Sequence, residues 1–109
     1  MITWEDFEKI DIRVGTIISA KSFSKAKKPS FQLQIDFGLP GIKQSSAQIT
    51  AYYKIEDLIG KQVAAVINFP PKQIANYFSE CLVLGVYDEH NNVILLQPGR
   101  PVANGSKIG

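Results

Sequence analysis

The stretch "FQLQIDF", residues 31–37, sets Phe31, Leu33, Ile35 and Phe37 against Gln32, Gln34 and Asp36. Strict alternation over seven residues marks a strand with one face in a core and the other toward water. Upstream the same period predicts a strand in which Ile10, Ile12, Val14, Ile18 and Ala20 point inward and Asp11, Arg13 and Ser19 outward. Gly15 interrupts that polar face and suits a bulge or a bend. Between the two runs lies "KSFSKAKKPS", a loop that gathers Lys21, Lys25, Lys27 and Lys28. Downstream, "GLPG" at 38–41 is a turn. "IKQSSAQIT" at 42–50 then stands where a third strand is due, with only Ile42, Ala47 and Ile49 apolar. Such a strand lies at a solvated edge or offers polar groups to a ligand.

Further outward the signals are shorter. Residues Thr3 to Ile10 read as a helical turn: Thr3 with Asp6 makes a capping box, and Trp4, Phe7 and Ile10 share one face. A helix this short cannot stand alone, so that face must pack on something. "AYYKIEDLIG" at 51–60 predicts a helix with a stripe of Tyr52, Ile55 and Ile59, stopped by Gly60. Val63 to Ile67 predicts a fully buried strand, "NFPPKQIANYFSE" a long loop, "CLVLGVY" a second buried strand, "DEHNN" a turn and "VILLQ" the last strand. Five or six strands with one short helix between the third and fourth is the order of an oligonucleotide/oligosaccharide-binding (OB) barrel. There are too few helices for a parallel sheet, and a β-sandwich has no obligatory helix at that place. The expected architecture is all-β with short helices: one domain over 1–109, a five-stranded OB barrel at about 10–97, extended by the helical turn 3–10 and a tail at 98–109.

Composition narrows the function. A chain of 109 residues with 45% apolar and 20% charged residues is an ordinary globular one. No run approaches the roughly 18 apolar residues of a membrane span, so membrane insertion is not expected. Neither a leader peptide nor a pair of cysteines is present, which makes the cytoplasm the expected location. The net charge of +2 permits RNA without demanding it. Catalysis is not expected. The one histidine, His90, falls in a turn; Cys81 opens a buried strand with no histidine set against it; and the ten carboxylates are dispersed without metal-ligand spacing. There is no phosphate-binding glycine loop, and no cofactor is implied.

An OB barrel presents ligands to its second and third strands, between the loops joining strands one to two and four to five. Here those parts are the lysine loop, "IKQSSAQIT" and "NFPPKQIANYF". An extended polypeptide would bury apolar groups on Phe69, Tyr77 and Phe78 and pair with the strand around Gln44, Ser46 and Gln48. Single-stranded RNA would stack on the aromatics while Lys25, Lys27, Lys28, Lys43 and Lys72 neutralise phosphates. Packing at the barrel end is the plainer role for the same aromatic rings.

Three motifs, "DIRVG" (11–15), "SSAQIT" (45–50) and "NFPPKQIANYFSECLVLG" (68–85), followed by "VILLQPGRPVANGSKIG", resemble the tRNA-binding-domain family of OB folds over essentially the whole chain. Their order and spacing are more specific than any one of them. The resemblance is strongest to a chaperone branch linked to protein export. It implies a homodimer that binds unfolded or precursor polypeptides and engages the export motor SecA, with tRNA binding as the alternative. It also gives the terminal elements a task, placing Trp4, Phe7 and the tail in a two-fold contact. Asn68 and Ser79 match the family motif, as RNA contacts or as structural hydrogen-bonders. Relatives commonly carry a basic residue and a glycine where Ala75 and Asn76 stand, and a glycine-methionine pair at Cys81 and Leu82. The missing cation weakens the expectation of tight tRNA binding, while Asn76 is expected to keep the turn by adopting a left-handed conformation.

Overall fold

The computed structural model describes all 109 residues. It opens with α1 (Trp4–Glu8), closed by the expected box: the Asp6 N–H donates to Thr3 Oγ1 at 3.1 Å, and the Thr3 N–H to Asp6 Oδ2 at 3.0 Å. Then follow β1 (Ile12–Ser22), β2 (Phe31–Asp36), β3 (Ile42–Ala47), α2 (Ile55–Leu58) and β4 (Gln62–Val66). The chain ends with β5 (Lys72–Ile74), β6 (Tyr77–Ser79), β7 (Leu82–Val83), β8 (Gly85–Tyr87) and β9 (Val93–Leu95). Five strands pair antiparallel in the order β3-β2-β1-β4-β7, while β5–β6 and β8–β9 are separate hairpins. The sheet curls until β3 lies beside β6 and β7. This is a nearly closed five-stranded barrel with a helix between the third and fourth strands, the OB architecture expected from the element order.

The strand at 31–37 behaves as its alternation demands: Leu33, Ile35 and Phe37 are wholly buried, joined inside by Ile17, Leu58 and Val63. Each such side chain contributes roughly 1.5–3 kcal/mol by leaving water. Strand β1 runs in the opposite phase to its reading. Gly15 and Ile17 point inward; Val14 is buried as expected but outside the central cluster, beside the returning tail, Ile12 is half-buried and Ile18 is exposed. The cause is Gly15, where a Cβ would lie 2.6 Å from Ile35 and 2.7 Å from Phe37. The inward position is left without a side chain because the core already fills it. The bulge falls later, between Ile17 and Ser19, and returns Ala20 to the core side.

Three other expectations change. The helix at 51–60 shrinks to α2, whose buried residue is Leu58; Tyr52 and Ile59 face solvent, and the Tyr52 hydroxyl donates to the Asp88 carboxylate. The long loop 68–80 contains the β5–β6 hairpin, turned at Ala75–Asn76. It is Ala75, not Asn76, that takes the left-handed backbone there, with φ +54°. The segment 81–87 is not a buried strand: Cys81 is buried, but Leu82, Val86 and Tyr87 are exposed. It passes from β4 to β9, so only its first residues border the core. Leu82, Val86, Ile94 and Leu96 are left as exposed apolar surface.

The tail folds back on its own barrel. The Val14 N–H donates to Ser106 O, Gly105 N–H to Val14 O, and Ile108 N–H to Ile12 O. Arg13 binds the Asp11 carboxylate at 2.6 Å and donates to Gly105 O at 3.1 Å, while the Thr16 hydroxyl donates to Asn104 Oδ1 at 2.7 Å. "DIRVG" and "VANGSKIG" are therefore the two halves of one intramolecular clasp.

Candidate functional site

Barrel closure between β3 and the segment 78–81 is made largely by side chains, because no ladder joins β3 to β7. On the outer edge of β3 the Gln44 N–H donates to Glu80 Oε1 at 3.0 Å, and Gln44 O accepts from Glu80 N–H at 2.8 Å. Gln44 Nε2 donates to Phe78 O at 2.8 Å, and the Ser46 N–H to Ser79 Oγ at 3.1 Å. The buried Ser45 hydroxyl donates to Cys81 O at 3.0 Å. This polar content made β3 read as ligand-facing, but Gln44, Ser45 and Ser79 are spent on holding the barrel shut. Burial pushes the Cys81 thiol up to about 11, with Ser45 hydrogen bonding and the Lys43 charge opposing, so the thiolate needed for nucleophilic chemistry does not form at neutral pH.

Beyond Ser46 this seam opens into a groove of about 1020 Å³ between the lysine loop, the end of β3, the β5–β6 hairpin and the start of β7. Eleven of its twenty lining residues are hydrophobic, including Ile49, Phe69, Ile74 and Val83. Lys25, Lys27, Lys28 and Lys72 stand on its rim, none of them in an ion pair, and no carboxylate lines it. Residues 44 and 46 turn their backbone polar groups to the outer edge of β3, and Gln48 follows just beyond the end of the strand. Ser46 C=O and both backbone groups of Gln48 make no hydrogen bond within the protein. A short piece of free strand edge therefore borders an apolar floor. Beside it Ser30 is 4% exposed, and its hydroxyl has no partner.

The expected site residues divide accordingly. Ser46, Gln48, Phe69, Lys25, Lys27, Lys28, Lys72 and Ser79 meet in the groove; Gln44, Lys43, Asn68, Tyr77 and Phe78 do not line it. The three aromatics share no surface. Tyr77 stacks edge-to-face on Phe23 at 5.4 Å and donates its hydroxyl to Leu33 O at 3.3 Å. Burial, with Glu80 and Cys81 nearby, raises it to about 12. Phe78 pairs with Gln73, off the groove, because alternation along β6 sets it opposite to Tyr77 and Ser79. Asn68 accepts from the Asp11 N–H at 2.9 Å and donates to Lys9 O at 2.7 Å, tying α1 to the end of β4. Trp4 is 85% exposed and Phe7 half-buried. Sequence reasoning missed Ser30 and Val83. Ser30 closes the lysine loop, but nothing in its sequence signalled burial.

Residues 12–107 match the family described as "Putative tRNA binding domain". The chain belongs to the tRNA-binding-domain family. Within it, the chain is similar over its full length to the chaperone CsaA of Bacillus anthracis, with 52% identity, 99% of that chain covered and a TM-score of 0.95. The CsaA chaperone protein of Picrophilus torridus gives 53% identity, full coverage of both chains and a TM-score of 0.94. The chain is thus of the CsaA type. It is also 41% identical over 108 residues to the methionine–tRNA ligase of Methanococcoides burtonii, spanning 99% of this chain but only 16% of that enzyme. These relatives are a tRNA-binding domain and a chaperone; the domain also occurs as part of an enzyme. No helix is long and apolar enough to cross a membrane.

Proposed function

We propose that the chain is a dimeric, nucleotide-independent chaperone that holds extended segments of unfolded or precursor polypeptide in the groove beside β3. The observation that carries this is the free strand edge at Ser46–Gln48 lying over an apolar floor. A strand edge supplies backbone pairing to any extended sequence, and apolar walls add about 25 cal/mol per Å² buried. That combination suits a client defined by being unfolded. The CsaA chaperones to which the chain is similar support the same reading. Dimerisation would cover the exposed apolar residues Val86, Ile94, Leu96 and Trp4, which lie outside the groove, since such surface marks interaction sites. A role in export and engagement of SecA are carried by the resemblance alone, and a pull-down from lysate tests them.

Binding of tRNA in the same groove is the alternative, favoured by the four unpaired lysines and by the methionine–tRNA ligase relatives. The deciding experiment titrates tRNA against a fluorescent extended peptide on the purified protein, for the wild type and for Lys25→Ala/Lys27→Ala/Lys28→Ala. Peptide binding that survives the triple change and high salt supports the chaperone. Affinity confined to tRNA, falling steeply with salt as counterions are released, supports the alternative and ends the first proposal.

A further inference from the structure

The polypeptide reading leaves one feature of the groove unused. Ser30 is 4% exposed, lines the groove and has a hydroxyl without any hydrogen-bond partner. A buried hydroxyl left unsatisfied is destabilising, so its retention here asks for an acceptor that arrives from outside. The surroundings say which kind. Lys25, Lys27 and Lys28 belong to the loop that Ser30 closes, and Lys72 stands on the β5–β6 hairpin; no carboxylate lines the groove to balance them. A hydroxyl donor among uncompensated ammonium groups fits an anionic oxygen, and hydrogen bonds to charged acceptors are the strong ones.

We propose that Ser30 and the lysine loop form an anion subsite that seats a carboxylate side chain of the bound polypeptide. The proposal rests on the polypeptide reading of the groove. Ser30 and Gln48 lie just beyond the last pair of the β2–β3 ladder, Phe31 with Ala47, and both line the groove, so a client side chain entering there meets the hydroxyl and the lysine loop together. The chaperone thereby gains a sequence preference, for apolar segments interrupted by an acidic residue.

The test uses fluorescence anisotropy on the full chain with one apolar ten-residue peptide carrying Glu, Asp or Gln at its centre. The Glu and Asp peptides are both expected to bind about tenfold tighter than the Gln peptide, the worth of a charge-assisted hydrogen bond. Ser30→Ala should erase most of that ratio while the melting temperature holds or rises, because the hydroxyl is unpaired in the free protein. Equal binding of Glu and Gln peptides overturns the subsite and leaves the polypeptide reading intact. Ser30→Ala that lowers the melting temperature and weakens all three peptides alike makes Ser30 structural and overturns it too. If no peptide binds, both readings fall, and oligouridylate bound in a Ser30-dependent way would assign the subsite to phosphate.

Discussion

Phe69 and Phe78 form a matched pair that tests where a client binds. They are exposed to nearly the same extent, 54% and 50%, yet only Phe69 lines the groove. A phenylalanine side chain carries roughly 150–250 Å², so covering the exposed half of Phe69 removes about 100 Å² from water. At about 25 cal/mol per Å² that is about 2.5 kcal/mol. Ordering the ring and its contact costs roughly 1 kcal/mol, leaving about a tenfold gain in affinity. Phe69→Ala should therefore weaken an extended peptide about tenfold in fluorescence anisotropy and raise the amount of protein needed to suppress aggregation of a denatured client. Phe78→Ala should change neither beyond a factor of two. Circular dichroism spectra and melting temperatures must stay alike for both variants, since neither ring is in the central cluster. Equal losses from the two changes would refute the placement of the groove, as would an unaffected Phe69→Ala.

Gly15→Ala should lower the unfolding free energy by about 1–3 kcal/mol, an overpacking cost, because the new methyl meets Ile35 and Phe37, both fully buried; urea denaturation reads it. Ala75→Gly should raise stability by about 0.5–1 kcal/mol in the same assay, since a side chain in the left-handed region costs more than glycine's extra freedom. Stability should also fall at alkaline pH. Cys81 is raised from 9 to about 11 by burial, so above pH 9 the unfolded chain releases a proton that the fold retains. Its contribution is full below pH 9 and is lost as pH rises toward 11, by about 2–3 kcal/mol. Tyr77 extends the decline from pH 10 toward 12. Thermal melts across pH 8–11 should show the first part of the slope removed in Cys81→Ala.

Much of the barrel was legible where one residue's burial follows from its neighbours' spacing. The run at 31–37 and the buried strand at 63–66 needed only a period of two and a run of apolar residues. The capping box needed only Thr3 and Asp6. Reading failed where the deciding partner is distant. Gly15 looked like a bend because the rings that crowd it come from β2. The Gln44 and Ser45 side chains of β3 looked available because their acceptors lie more than thirty residues away, at Phe78 and Cys81. Tyr77 and Phe78 looked equivalent until the β5–β6 register set them on opposite faces, and the turn at Ala75–Asn76 carries no glycine to announce a hairpin. Of the candidate site, the lysine rim, Phe69 and Gln48 were readable; the buried Ser30 was not.

Closing the barrel with side chains gives it a weak line. Backbone ladders bind β1 to β2 and β4 along most of their length, whereas a few hydroxyl, amide and carboxylate contacts hold 78–81 to β3. Opening that line breaks those bonds, the Glu80 N–H to Gln44 O bond and the Tyr77 contacts with Phe23 and Leu33 O, but leaves the central strands paired, so the β5–β6 hairpin opens at less than the global unfolding energy. Amide protons at 44, 46 and 80 should accordingly exchange much faster than those of β1, and the slot between hairpin and barrel becomes a side entrance. A long chain could then be threaded laterally from its middle, with no free end required.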